Sequence, residues 1–266
     1  MDLDDAYANA AYIPGAAAYP EKWAQAAEAF RGSTLCETDV IYGESPRQRL
    51  DLFHPARLAR GLVVFVHGGY WLRFDKSYWS HLAAGALAHG WAVAMPSYDL
   101  CPDARISQIG DQIATAIGVA SDRVPGPVRL VGHSAGGQLI ARMTVARHGT
   151  RWQDRLEKVV PISPVADLAP LMQTAMNSDL KLDAAEVSTE SPVHLPAPGV
   201  PVTIWVGADE RPVFLQQAQA LCDAWHCKII TEPGHHHFSV VERLADPDSP
   251  LTRELLDETG GSAPLA

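Results

Sequence analysis

A series of short, mostly apolar runs alternating with helical stretches constrains this chain more than any other feature. The runs are residues 62–66, 91–95, 128–131, 158–162, 202–206 and 228–231. Helical patterns lie between them, at 77–89, 106–119, 136–147 and 212–225, and a last one begins near Phe238. A strand buried on both faces reads as continuous hydrophobic sequence instead of an alternating one. Such strands separated by helices imply a mostly parallel sheet with helices on both faces, an α/β architecture. At 266 residues, with 47% hydrophobic and 20% charged residues, the chain suits one large α/β domain. Upstream lies a helical stretch at 20–31, within a first 35 residues rich in Ala, Tyr and Pro. Two β-like segments follow, at 38–42 and 48–54. The second sets Leu50, Leu52 and His54 against Arg49, Asp51 and Phe53, and this alternation predicts a half-exposed edge strand.

The net charge of −10 argues against nucleic acid and anionic membranes as partners. No apolar run is long enough to span a bilayer. The acidic start Met1-Asp2-Leu3-Asp4-Asp5 lacks the pattern of a secretory signal, so a cytoplasmic location is expected. Cys36, Cys101, Cys222 and Cys227 have neither CxxC nor zinc spacing and read as free thiols. No cofactor or metal is expected. The sequence does not fix an oligomeric state and is compatible with a homodimer.

Ligands in parallel α/β sheets bind beyond the carboxyl ends of the strands, so the polar residues at those ends matter most. After 128–131 comes Gly132-His133-Ser134-Ala135-Gly136-Gly137, which opens a helix. This is G-x-S-x-G in the strand–turn–helix context it requires. The glycines permit a sharp turn that lifts the serine above the sheet. The Ala135 N–H and the start of the helix then face a developing negative charge. Ser134 is the candidate nucleophile; the bland alternative is a glycine-rich turn holding an incidental serine. The strand at 62–66 leads into His67-Gly68-Gly69-Tyr70-Trp71. Its small residues let backbone approach a substrate. The N–H groups of Gly69 and Tyr70, with that of Ala135, are the expected oxyanion donors, each worth roughly 3 kcal/mol of the barrier. His67 precedes Ser134 in the chain and is expected to hold this loop. Gly68, Tyr70, Trp71 and His133 are expected to line the pocket.

A serine nucleophile in this context is followed along the chain by an acid and then a histidine. Asp209 lies just past the run 202–206 and is the expected acid, with Glu210 as the fallback. Asp167, Asp179 and Asp183 do not end a buried strand. The base comes from His235, His236 or His237, a cluster that follows the last strand; His226 sits at a helix end. Adjacent histidines do not converge on one ion, which disfavours metal binding. Position alone does not choose among the three.

The His-Gly-Gly-Tyr-Trp loop, the Gly-His-Ser-Ala-Gly-Gly turn and the closing His237-Phe238-Ser239-Val240-Val241-Glu242 resemble arylformamidase (kynurenine formamidase) and its bacterial esterase-like relatives, within the α/β-hydrolase fold. Residues 162–168 and Ser191-Pro192 are similar to that group's cap region. The resemblance covers most of the chain. It implies that His237, just before Phe238, is the base, and that the activity is hydrolysis of N-formyl-kynurenine to kynurenine and formate, with small aryl esters also cleaved. Ser163-Pro164 departs from the small pair usual in the group and is expected to reshape the pocket wall. A small helical cap is expected at about 165–198, with Met172 and Met176 facing pocket or core. The competing activity is that of a general short-chain carboxylesterase. A non-catalytic binding module is disfavoured because all three triad residue types occur in order.

Overall fold

The computed structural model describes residues 2–145 and 151–257. The strands are β1 (Cys36–Ile41), β2 (Arg49–Phe53), β3 (Leu62–Val66), β4 (Ala92–Pro96), β5 (Val128–His133), β6 (Leu156–Ile162), β7 (Thr203–Gly207) and β8 (Lys228–Glu232). They form one sheet in the order β1-β2-β4-β3-β5-β6-β7-β8. From β4 to β8 all neighbours are parallel, while β2 runs antiparallel to both β1 and β4. Every residue of β3, β4, β5 and β7 is buried; β3 and β4 are unbroken apolar sequence, while β5 also buries Arg129 and His133 and β7 buries Thr203.

The helices are α1 (Leu3–Ala6), α2 (Tyr19–Ser33), α3 (Ala84–Ala88), α4 (Ile106–Arg123), α5 (Ala135–Arg142), α6 (Asn177–Leu180), α7 (Ala184–Glu190), α8 (Pro212–Trp225) and α9 (Pro250–Leu256). They cover both faces of the sheet. Leu130 and Val64 belong to a core that includes Ile113 and Ile117 of α4, Leu139 of α5 and Leu221 of α8. Val131 and Val63 belong to a second core, with Trp23 of α2, Ala86 of α3 and Leu251 and Leu255 of α9. Among the described residues no helix is long and apolar enough to cross a membrane.

The structure departs from the sequence expectations in several places. The expected edge strand is an interior one: β1 flanks β2, and four of the five β2 residues are buried. Its alternation divides Leu50 and Leu52 from Phe53 between two packed faces, not between core and solvent. The helix expected at 77–89 is split into 3-10 turns at Lys76–Tyr78 and Ser80–Ala83 before the five-residue α3. The helix expected at 136–147 is observed as α5, which ends at Arg142; residues 143–145 form a turn, and 146–147 lie outside the described part of the chain. Near Phe238 the chain forms a 3-10 turn at Val241–Ala245. Helix α9, which was not anticipated, follows, with the Ser249 hydroxyl accepting from Thr252 N–H at its N-terminus.

Residues 165–198 contain 3-10 turns at Ala169–Gln173 and Pro192–His194 together with α6 and α7. Much of this segment is fastened to the body of the domain. The Glu186 carboxylate takes the Ser107 N–H at 2.8 Å and pairs with Arg105, and the buried Arg142–Glu190 pair lies at 3.0 Å. Of the two methionines, Met176 reaches the cavity described below, while Met172 is 37% exposed.

Candidate active site

The turn between β5 and α5 brings Ser134 to φ 56° and ψ −116°, a backbone conformation that costs energy for any residue with a side chain. Packing enforces it. A Cβ on Gly136 would stand 2.0 Å from the Val66 carbonyl oxygen, and one on Gly132 would stand 2.3 Å from the Gly136 carbonyl oxygen. Only glycine fits either place, so the G-x-S-x-G spacing is a steric requirement of β5 and α5 pressed against β3. The Ser134 N–H donates to the Ile162 carbonyl at 2.8 Å, which ties the turn to the end of β6.

The loop after β3 folds back on itself. The Leu72 and Arg73 N–H groups both donate to the Gly69 carbonyl, at 3.0 and 3.1 Å. Gly69, Tyr70 and Trp71 all have positive φ. Gly68 packs so closely that a Cβ there would be 2.9 Å from the Ser134 Cβ. Among the described residues none accepts from the backbone N–H of Gly69, Tyr70 or Ala135. These three N–H groups, the ones expected to hold an oxyanion, therefore remain free to donate. Trp71 does not line the pocket: it is fully buried and its Nε1–H donates to Gln138 at 3.2 Å. Its positive φ turns the ring under the loop.

His67 is buried beneath the same loop, stacked on Tyr98 at 4.3 Å, and the Tyr98 hydroxyl donates to the His67 carbonyl at 2.8 Å. Burial lowers its pKa to about 4, and partial burial does the same to His81. In the unfolded chain both rings protonate near the ordinary value of about 6.5. The unfolded state therefore binds more protons between those values. The stability these neutral rings contribute is present above pH 6.5 and lost as pH falls toward 4. Denaturant midpoints are expected to fall between pH 7.5 and pH 5, and a midpoint that rises over this range would contradict the assignment.

The acid position requires a correction. Asp209 is exposed on the turn after β7, and its backbone N–H donates to the His235 carbonyl at 3.0 Å. Glu210 is the buried carboxylate. Its Oε2 accepts from His237 Nδ1 at 2.6 Å. Its Oε1 accepts from the Gly207 N–H at 3.0 Å and from the Ser163 hydroxyl. The turn points residue 209 outward, and the longer glutamate reaches back under β7 to the imidazole. Among His235, His236 and His237, only His237 meets this carboxylate. With Nδ1–H donating to Glu210, its Nε2 is left as the basic nitrogen. His133 packs against it at 4.6 Å between ring centroids, and His133 Nε2–H donates to the His237 carbonyl at 2.8 Å. Burial pushes the His133 pKa well below the ordinary histidine value, so this ring is a neutral prop.

Ser134 and His237 open onto one cavity of about 750 Å³. Of the residues expected at the pocket, Gly68, Tyr70 and His133 line it, joined by Gly69, and Trp23, Phe74, Trp79 and Phe238 supply aromatic walls. Ser163-Pro164 does not line it; Ser163 instead holds the Glu210 carboxylate. Most of the cover comes from a region the sequence did not single out for this purpose. Residues of the N-terminal segment from Asp4 to Pro20 line the cavity, whereas the expected cap at 165–198 contributes Met176. The alanine-rich composition of that segment was visible, but no periodicity placed it against the site. A nucleophile, a buried His–carboxylate pair, free backbone donors and a largely apolar cavity together are equipped for acyl transfer.

Comparisons with known proteins agree with this architecture. The alpha/beta hydrolase fold family matches residues 63–195. Kynurenine formamidase of Salmo salar is 28% identical over 258 residues, covering 88% of this chain and 86% of that protein. Kynurenine formamidase of Drosophila melanogaster is 26% identical, covering 80% and 78%. A solved structure of a candidate thioesterase from Silicibacter sp. superposes with a TM-score of 0.94 at 51% identity, covering 96% of this chain and 99% of that one. Esterase B of Lactobacillus rhamnosis shares the fold at a TM-score of 0.67 and 22% identity, covering 90% of this chain and 90% of its own.

Proposed function

The chain belongs to the alpha/beta hydrolase family, and from that premise we propose that it is a serine hydrolase of small amides and esters, with arylformamidase-like activity. The observation that carries the reading is the His237–Glu210 pair at 2.6 Å, opening with the strained Ser134 onto one aromatic-walled cavity. In this mechanism His237 Nε2 takes the Ser134 hydroxyl proton as Oγ attacks the carbonyl carbon. The N–H groups of Gly69, Tyr70 and Ala135 hold the oxyanion. His237 then gives its proton to the leaving nitrogen or oxygen, and the acyl-serine forms. Water, deprotonated by the same imidazole, releases the acid and restores Ser134. Glu210 fixes the tautomer and stabilises the imidazolium.

The likeness to kynurenine formamidases over most of the chain supports an aryl formamide as substrate, and the cavity's Trp23, Phe74, Trp79 and Phe238 suit an aryl ring. A second reading, hydrolysis of short esters or thioesters, is favoured by the 51% identity to the candidate thioesterase. A panel of N-formyl-kynurenine, p-nitrophenyl acetate and acetyl thioesters separates the two. The proposal expects kcat/KM to be highest on N-formyl-kynurenine. Formamide turnover at background, alongside rapid ester or thioester cleavage, would overturn it in favour of the second reading.

A further inference from the structure

The G-x-S-x-G motif leaves the residue before the serine open. Here that residue is a histidine, His133, only 4% exposed. It is the last residue of β5 and is paired in register with Ile162 of β6, so the sheet fixes its backbone directly beside Ser134. The residue also abuts the oxyanion loop. A Cβ on Gly68 would stand 2.8 Å from the His133 carbonyl oxygen and 3.3 Å from its Nδ1. The ring packs on His237 at 4.6 Å between centroids, and its Nε2–H donates to the His237 carbonyl at 2.8 Å. One side chain thus touches both loops that must meet at the nucleophile.

Among the described residues, the His133–His237 bond is the one hydrogen bond between the nucleophile turn at 132–137 and the base loop at 233–239. Glu210 sets the tautomer and rotation of the His237 ring through Nδ1 at 2.6 Å. It does not set how far the backbone of the base loop stands from Ser134. That distance follows the His237 carbonyl, which His133 holds. Proton transfer from Oγ to Nε2 demands close approach, and a misplacement of about 1 Å can cost roughly 10²-fold in rate. A group that fixes such a distance works through the residues it supports. Burial also keeps His133 neutral, so it brings no second positive charge against His237 when that ring takes the serine proton.

We infer that His133 is a positioning residue: its Nε2–H, held on the His237 carbonyl, sets the distance between base loop and nucleophile turn so that His237 Nε2 meets the Ser134 hydroxyl. The inference rests on the serine-hydrolase reading above and names the residue that brings its two halves into register. Neither a proton nor a covalent bond is exchanged at His133.

The test uses the full-length protein and p-nitrophenyl acetate. His133→Phe keeps an aromatic ring and removes the donor. His133→Asn, too short to reach the carbonyl, carries the same test if phenylalanine lowers the thermal midpoint. His133→Gln returns an N–H close to where Nε2 stood. The expected result is a kcat loss of about ten- to a hundred-fold in the Phe or Asn variant, with KM changed less than about three-fold. The Gln variant regains most of the lost rate, and fluorophosphonate labelling of Ser134 slows and recovers in parallel. A folded Phe or Asn variant with kcat within about two-fold of wild type, a loss confined to KM, or a Gln variant as slow as the Phe variant would overturn the inference. The serine-hydrolase reading fails separately: the wild-type protein itself would then take no fluorophosphonate on Ser134.

Discussion

Replacing Ser134 with alanine is expected to reduce turnover of any ester or formamide by at least about 10⁴-fold, with the folded structure retained. The residual rate would come from the oxyanion donors and substrate binding, which survive the loss of the nucleophile. The fold should tolerate the change because, among the described residues, the hydrogen bonds of Ser134 run through its backbone, to Ile162, Gln138 and Val165. Steady-state kinetics on p-nitrophenyl acetate, with a thermal melt as control, measures this. Activity within ten-fold of wild type in a well-folded variant would remove Ser134 from the mechanism.

The second large effect separates two neighbouring carboxylates. Glu210→Gln is expected to lower kcat by roughly 10³- to 10⁴-fold, the scale set by a triad acid replaced by its amide. The amide can still occupy the space but presents the wrong partner to Nδ1–H and stabilises no imidazolium. Asp209→Asn should leave kcat within about two-fold, because the Asp209 side chain is exposed and Glu210 alone reaches His237. Measuring kcat for both variants against pH decides the matter. A large loss in Asp209→Asn with little in Glu210→Gln would restore the carboxylate that strand position alone favoured.

That pair of residues also shows where the sequence stops being legible. The strand end at Gly207 was readable from the apolar run before it, and so was the rule that an acid follows. Which of two consecutive acids turns inward depends on a turn held by the contacts of residue 209's N–H with His235 and of Glu210 with Gly207 and Ser163. Gly207 is three residues from Glu210, but His235 and Ser163 lie 26 and 47 residues from their partners, and no local pattern encodes those two contacts. The Ser134 turn was legible for the opposite reason, since its glycines answer a local steric demand that spacing alone reveals. Strands β3, β4, β5 and β7 were legible because burial on both faces leaves mostly apolar runs, despite the buried Arg129 and His133 of β5 and Thr203 of β7. The same logic misplaced β2, whose alternation reflects two different cores. The cavity cover was least legible. Alanines at residues 8–17 carry no periodic signal, and their place over the site is set by Tyr70 and Arg211, distant in sequence, which bond to the Tyr7 and Ala6 carbonyls. Trp71 was misread because a tryptophan on an oxyanion loop invites a pocket role, while its positive φ and its bond to Gln138 turn it into the core.

The central claim is that one serine, held in a strained turn and served by His237 and Glu210, attacks the substrate carbonyl. The measurement closest to that event is the mass of the peptide modified by a fluorophosphonate, which reacts only with an activated serine. The account predicts a single stoichiometric adduct on Ser134, with loss of hydrolysis in proportion to labelling and greatly slowed labelling in Glu210→Gln. Full labelling at another residue, or hydrolysis that persists with Ser134 fully modified, would contradict it.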